Sequence, residues 1–121
     1  MFKTAWFTRA ARKADISDAE LCRAVRQAIA GQCDDLGGGV YKKRLSRNLY
    51  RSIILARGGR YWVYEYVFAK QDRANIDAAE LEGFRLLAKA YEKLTGPQLA
   101  RLLEDRDLTE ICDGDQAQVQ E

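Results

Sequence analysis

Lys42 and Arg44 stand at alternate positions in the run Tyr41-Lys42-Lys43-Arg44-Leu45, and Arg51 follows a short gap later in Tyr50-Arg51-Ser52-Ile53-Ile54-Leu55. Alternation puts Lys42 and Arg44 on one face of a strand. A guanidinium can hold a phosphate through two parallel N–H bonds. It can also stabilise the extra negative charge of a phosphorane-like transition state, the kind of electrostatic contribution that often dominates catalysis. RNA brings its own nucleophile, the 2′-hydroxyl, so such a cluster needs no metal and no cofactor. The chain has no histidine, which removes the commonest general acid–base and the Ser-His and Cys-His nucleophile arrangements. Tyr66 lies on the next strand, where a tyrosine can stack a base, and Lys70 and Arg73 follow just beyond it. The alternative is that Arg44 and Arg51 are solvated strand residues and the aromatics are core.

Three strand-like runs must position these groups. Ser46-Arg47-Asn48-Leu49 is a four-residue connection that pairs Leu45 with Tyr50 and Arg44 with Arg51. Gly58-Gly59, between Arg57 and Arg60, is a two-residue hairpin signal. It pairs Leu55 with Trp62, Ile53 with Tyr64 and Arg51 with Tyr66. One face then carries Lys42, Arg44, Arg51, Ile53, Leu55, Trp62, Tyr64, Tyr66 and Phe68. The other carries Tyr41, Lys43, Leu45, Tyr50, Ile54, Ala56, Tyr61, Val63, Glu65 and Val67, with Lys43 and Glu65 expected to form a structural ion pair.

The net charge of +2 conceals an asymmetry. Residues 40–73 hold nine basic and two acidic residues, whereas residues 74–121 hold five basic and eleven acidic ones. A basic segment inside a near-neutral protein fits a local polyanion site. Mutual neutralisation of the two segments is the plainer account. The three cysteines, Cys22, Cys33 and Cys112, are odd in number, widely spaced and without a histidine to complete a zinc set. They read as reduced thiols of a cytoplasmic protein. No apolar run suits a signal peptide or a membrane span.

The remaining elements frame the sheet. Residues 2–7 read as a first strand, and residues 8–14 begin a helix. Ser17-Asp18-Ala19-Glu20 is a capping box for a helix over 18–30 that packs by Leu21, Val25 and Ile29. Asp34-Asp35-Leu36-Gly37-Gly38-Gly39 reads as a loop. Asn75 or Asp77 caps a helix striped by Leu81, Phe84, Leu87, Ala88, Tyr91 and Leu94. Thr95-Gly96-Pro97 opens another, carrying Leu99, Leu102 and Leu103. The expected fold is α+β: a small antiparallel sheet of an N-terminal strand plus a three-stranded meander, with N-terminal helices packed on it and two C-terminal helices. One domain spans residues 1–112, and residues 113–121 form a polar, frayed tail.

Tyr41-Lys42-Lys43-Arg44-Leu45, four residues, then Tyr50-Arg51 resembles the Y-K-x-K-L…Y-R pattern of RelE-type mRNA interferases. Residues 37–44, together with Phe68-Ala69-Lys70-Gln71-Asp72-Arg73-Ala74-Asn75-Ile76, look like a RelE/HigB-like subfamily of the RelE/ParE superfamily of type II toxins. The resemblance runs over residues 2–111. It implies a toxin of a toxin–antitoxin system that enters the ribosomal A site and cuts mRNA without a metal. Lys42, Arg44 and Arg51 then match the catalytic basic residues, with Arg51 at the transition state. Lys70 and Arg73 match the basic motif after the last strand. The implied partners are an antitoxin of helix-turn-helix type, the ribosome and mRNA, with no membrane.

Gln71 stands where the pattern has a basic residue, and Ile76-Asp77 where some members have a tyrosine. These departures favour a second reading: a non-enzymatic module of the same fold, either gyrase-directed or binding only its antitoxin. A plain RNA-binding domain is the third.

Overall fold

The computed structural model describes residues 1–112; the expected tail lies outside the described residues. The elements run β1 (Phe2–Thr4), α1 (Ala5–Lys13), α2 (Asp18–Ile29), β2 (Asp34–Gly37), β3 (Val40–Leu45), β4 (Tyr50–Leu55), a 3₁₀ turn (Arg57–Gly59), β5 (Val63–Ala69), α3 (Ala78–Glu92), α4 (Gly96–Glu104) and β6 (Leu108–Glu110). The six strands form one sheet in the order β2-β3-β4-β5-β1-β6. The fold is α+β, as the residue pattern indicates, but the sheet is larger than expected. β1 pairs with β5 in parallel, and every other pairing is antiparallel.

Both added strands lie at sheet edges. β2 takes up residues expected to form a loop, pairing Asp34 with Lys42 and Asp35 with Tyr41. The turn that follows has positive φ at Gly38 (68°) and Gly39 (86°), a backbone that glycine tolerates in tight hairpins. A Cβ on Gly39 would lie 2.7 Å from the Cα of Arg57. β1 is also shorter than expected. Thr4 caps α1 by accepting the Phe7 N–H at 3.0 Å, so the helix starts at Ala5 and takes Trp6 and Phe7 with it.

α1 and α2 cover one face of the sheet. Phe7, Leu21, Val25, Leu45, Ile54, Tyr64 and Val67 are buried there together. Leu21 and Val25 pack as expected, but Ile29 is 47% exposed; Cys22, Ala24 and Ala28 complete the buried side of α2 instead. The buried Tyr64 hydroxyl donates to the Leu21 carbonyl at 2.7 Å, satisfying a polar tip inside the core. Cys22 and Cys112 form a disulfide joining α2 to the residue just past Ile111. This corrects the expectation of three reduced thiols. Cys33 is the free cysteine. α3 and α4 cover the other face, where Val40, Ile53, Leu55 and Ala88 are buried beside Leu81, Phe84 and Tyr91. Phe2, Val63 and Leu108 are buried beside Leu99, Leu102 and Leu103.

The β3–β4 register is as expected: Leu45 faces Tyr50 and Arg44 faces Arg51. The β4–β5 register is not. The 3₁₀ turn lengthens the connection, and Leu55 faces Val63, Ile54 faces Tyr64, Ile53 faces Tyr66 and Arg51 faces Phe68. The register shifts between Ile53 and Ile54. Glu65, between Tyr64 and Tyr66, is therefore the extra residue of a β-bulge. The shift reverses the alternation on one side of it. Tyr64 and Trp62 join Tyr41 and Ile54 on the α1/α2 face, while Val63 lies with the α4 residues. Among the described residues no helix is long and apolar enough to cross a membrane.

Candidate functional site

Strand pairing brings Lys42, Arg44, Arg51, Ile53, Tyr66 and Phe68 to one face. Lys42 is opposite Ile53, Arg44 opposite Arg51, Ile53 opposite Tyr66 and Arg51 opposite Phe68. The site grouping expected from alternation therefore holds, although Arg51 neighbours Phe68 rather than Tyr66. α3 packs over Val40, Ile53 and Leu55, so it covers one end of this face. Arg44, beyond the last residue that β2 pairs, is exposed.

Each basic residue has distinct surroundings. Arg51 Nη1 donates to the Asn48 carbonyl at 3.0 Å and the Tyr50 carbonyl at 3.3 Å. These bonds bend its guanidinium toward the β3–β4 turn. Lys42 Nζ lies 3.9 Å from Asp34 on β2, with its side chain only 16% exposed. Lys70 is exposed, and its backbone N–H donates to Leu49 at 2.9 Å, holding it at the same end of the sheet. Arg73 lies 5.5 Å above the Phe68 ring. Its Nη1 donates to the Tyr66 hydroxyl at 3.3 Å and to Glu80 Oε2 at 3.0 Å, and its Nη2 to Glu80 Oε1. Phe68 thus lies between Arg51, across the strand, and Arg73, over its ring.

Glu80 was not among the residues singled out from the sequence, although the run Asp77-Ala78-Ala79-Glu80 carries its signal as a helix start. It sits in the capping box of α3, where Oε1 also accepts the Asp77 N–H at 2.8 Å. Arg73 foremost, then the Asp77 backbone, holds the Glu80 carboxyl below its ordinary range. Glu80 in turn raises the Arg73 guanidinium above its usual value. Trp6 is the second omission. It stacks on Tyr66 with ring centroids 5.1 Å apart and is 44% exposed. Residues expected to form a strand gave no reason to place it there.

Lys43 and Glu65 do not pair. Lys43 Nζ donates to the Gln32 carbonyl at 2.8 Å. Glu65 Oε1 accepts from the Tyr91 hydroxyl at 3.1 Å, under α3. The register is the reason: the longer β4–β5 connection and the bulge together put Val67, not Glu65, opposite Ser52 in the row of Lys43. Burial raises the Glu65 carboxyl to about 7, opposed by the Tyr91 bond.

The face therefore combines guanidinium groups, an ammonium and aromatics that range from the buried Phe68 through Tyr66 to the exposed Trp6, without a histidine, a set suited to an anion that also offers a flat ring. Its carriers are a three-stranded meander preceded by two helices and followed by two more. The family described as the RelE toxin of the RelE / RelB toxin–antitoxin system matches residues 1–111. The chain belongs to the RelE toxin family. No curated protein and no solved structure matches it. Membership in the RelE toxin family gives the chain a toxin role and implies an antitoxin as partner. The match extends through β6 and stops one residue before Cys112.

Proposed function

We propose that this RelE-family toxin is a HigB-like endoribonuclease that cuts mRNA on the ribosome and acts in the cytoplasm as one domain over residues 1–112. The observation that supports it most is the flanking of Phe68 by Arg51 and Arg73 on the face that also carries Lys42 and Arg44. The RNA 2′-hydroxyl gives its proton to solvent as its oxygen bonds to the adjacent phosphorus; the P–O5′ bond breaks, the 5′-oxygen takes a proton from solvent, and a 2′,3′-cyclic phosphate remains. Arg51 donates N–H bonds to the non-bridging oxygens, where charge grows. Lys42 and Arg44 position the phosphate or shift protonation. Lys70 and Arg73 hold the neighbouring backbone, and Tyr66 offers its ring edge and hydroxyl to a nucleotide. An antitoxin of helix-turn-helix type neutralises the toxin by covering this face.

The test is inducible expression with primer extension across a translated message. Wild type is expected to arrest growth and leave discrete 5′ ends; Arg51→Ala, still folded, is expected to do neither. Growth arrest by wild type with every message intact would refute cleavage.

A second reading is a non-enzymatic module that binds its antitoxin, or gyrase, without cutting RNA. Glu80 supports it, because its carboxylate neutralises Arg73 in the free protein, and Gln71 adds no charge beside Lys70. DNA-damage signalling over uncut mRNA would support the gyrase form, and salt-dependent RNA binding without cleavage a plain RNA-binding domain.

A further inference from the structure

A groove of about 550 Å³ runs between α2 and the β3–β4 turn, walled by Arg23 and Gln27 on the helix and by Lys43, Arg44, Arg47 and Asn48 on the strand and turn. Most of its charge is positive, with Glu20 as an acidic member of the lining. Lys42, Arg57, Arg73, Arg85 and Arg101 each have a carboxylate partner, but among the described residues Arg23, Lys43, Arg44 and Arg47 have none. Glu20 is the carboxylate in the groove wall, and it accepts the backbone N–H of Ser46. That bond anchors a turn in which Ser46, Arg47 and Asn48 all have positive φ, at 54°, 55° and 73°. Left-handed backbone is unfavourable for residues other than glycine, so the turn is held in place by its surroundings. Its result is an exposed Arg47 beside the exposed Arg44 and Arg23.

We infer that this groove binds the phosphate backbone of helical RNA, at a surface that adjoins the Arg51 face through Arg44 but does not include Arg51, Phe68 or Arg73. Three features select that partner. The cations are unpaired, as a polyanion requires. The lining includes no aromatic ring, so the groove lacks the stacking platforms by which single strands are held. Its apolar members Ala24 and Leu45 are buried, leaving Leu49, 62% exposed, as the apolar surface at the rim. A protein partner would call for a larger apolar centre, whereas RNA interfaces are polar and positive. Gln27 and Asn48 supply amides for phosphate oxygens or 2′-hydroxyls.

The test uses the whole protein and a labelled, long-stemmed RNA hairpin, followed by fluorescence anisotropy at several salt concentrations. Arg23→Glu/Arg47→Glu is expected to weaken binding about tenfold or more and to lower the salt slope by about two. Arg9→Glu/Arg12→Glu carries the same charge change on exposed positions of α1 and is expected to weaken binding by less than about threefold. Equal losses in the two variants would overturn the inference. So would equal affinity for an unstructured RNA of the same length, or displacement of the hairpin by poly-glutamate at equal charge. Should the groove variant fail to fold by circular dichroism, the wild-type slope decides, and a slope below about two would overturn the inference. The assay contains no ribosome or translation, so absence of cleavage activity leaves its outcome unchanged.

Discussion

Glu80 and Arg73 form a two-point ion pair, each carboxylate oxygen facing one guanidinium nitrogen, directly beside the Tyr66 hydroxyl. Any phosphate that approaches Arg73 must displace that carboxylate. Glu80→Gln keeps an acceptor for the Asp77 N–H and removes the charge. It is expected to tighten binding of a short single-stranded RNA about fivefold, because solvent screening keeps the contribution of such a pair modest. Unchanged affinity in an anisotropy titration would remove Arg73 from the nucleic-acid contacts.

Arg51→Lys keeps the charge but loses the planar fork and the bonds to Asn48 and Tyr50. A cleavage mechanism that relies on bidentate contact predicts about a hundredfold loss of mRNA cutting in a translating extract, close to that of Arg51→Ala. Substantial rescue by lysine would show that only a point charge is needed at this position.

Glu65 makes stability depend on pH. Folded, it keeps its proton to about 7; unfolded, it releases it near the ordinary 4.5. Its contribution is therefore fully present below about 4.5 and lost as pH rises through about 7. The groups around it are the Tyr91 hydroxyl, which donates to it, and Asp107, which acts on Tyr91. Denaturant melts of wild type minus Glu65→Gln are expected to show a decline of roughly 2 kcal/mol between those pH values, allowing for partial exposure. A flat difference would mean the carboxyl is solvated.

The disulfide joins residues separated by 90 positions in the chain. Reduction, or Cys22→Ser with Cys112→Ser, is expected to lower stability by about 3 kcal/mol. A thermal melt with and without reductant checks this, and an unchanged midpoint would mean the bridge adds nothing in solution.

Local signals made part of this legible. β3 and β4 are continuous β-branched, aromatic and basic runs on either side of a short gap, so their register, and with it the grouping of Lys42, Arg44 and Arg51, could be read from alternation. The β4–β5 register could not, because the bulge at Glu65 breaks the period of two at a residue whose type gives no warning. β2 and β6 read Asp34-Asp35-Leu36-Gly37 and Leu108-Thr109-Glu110. Their order comes from a neighbouring strand's open edge rather than from their own preferences. Cys22 and Cys112 meet only once α2 and the end of β6 are both in place. The Arg73–Glu80 pair is short-range, yet a capping glutamate looks the same in sequence whether or not an arginine meets it.

β1 lies between β5 and β6, and the Ile111 N–H donates to the Met1 carbonyl at 2.8 Å. Residues 2–4 are thus the first strand to be synthesised and the last to be enclosed. Their parallel neighbour begins at residue 63 and their antiparallel neighbour at residue 108. Pairing across such separations requires long loops to close first. A nascent chain can assemble the β2–β3–β4 meander while β1 still has no partner, so the sheet is completed only after residues 108–110 have been made.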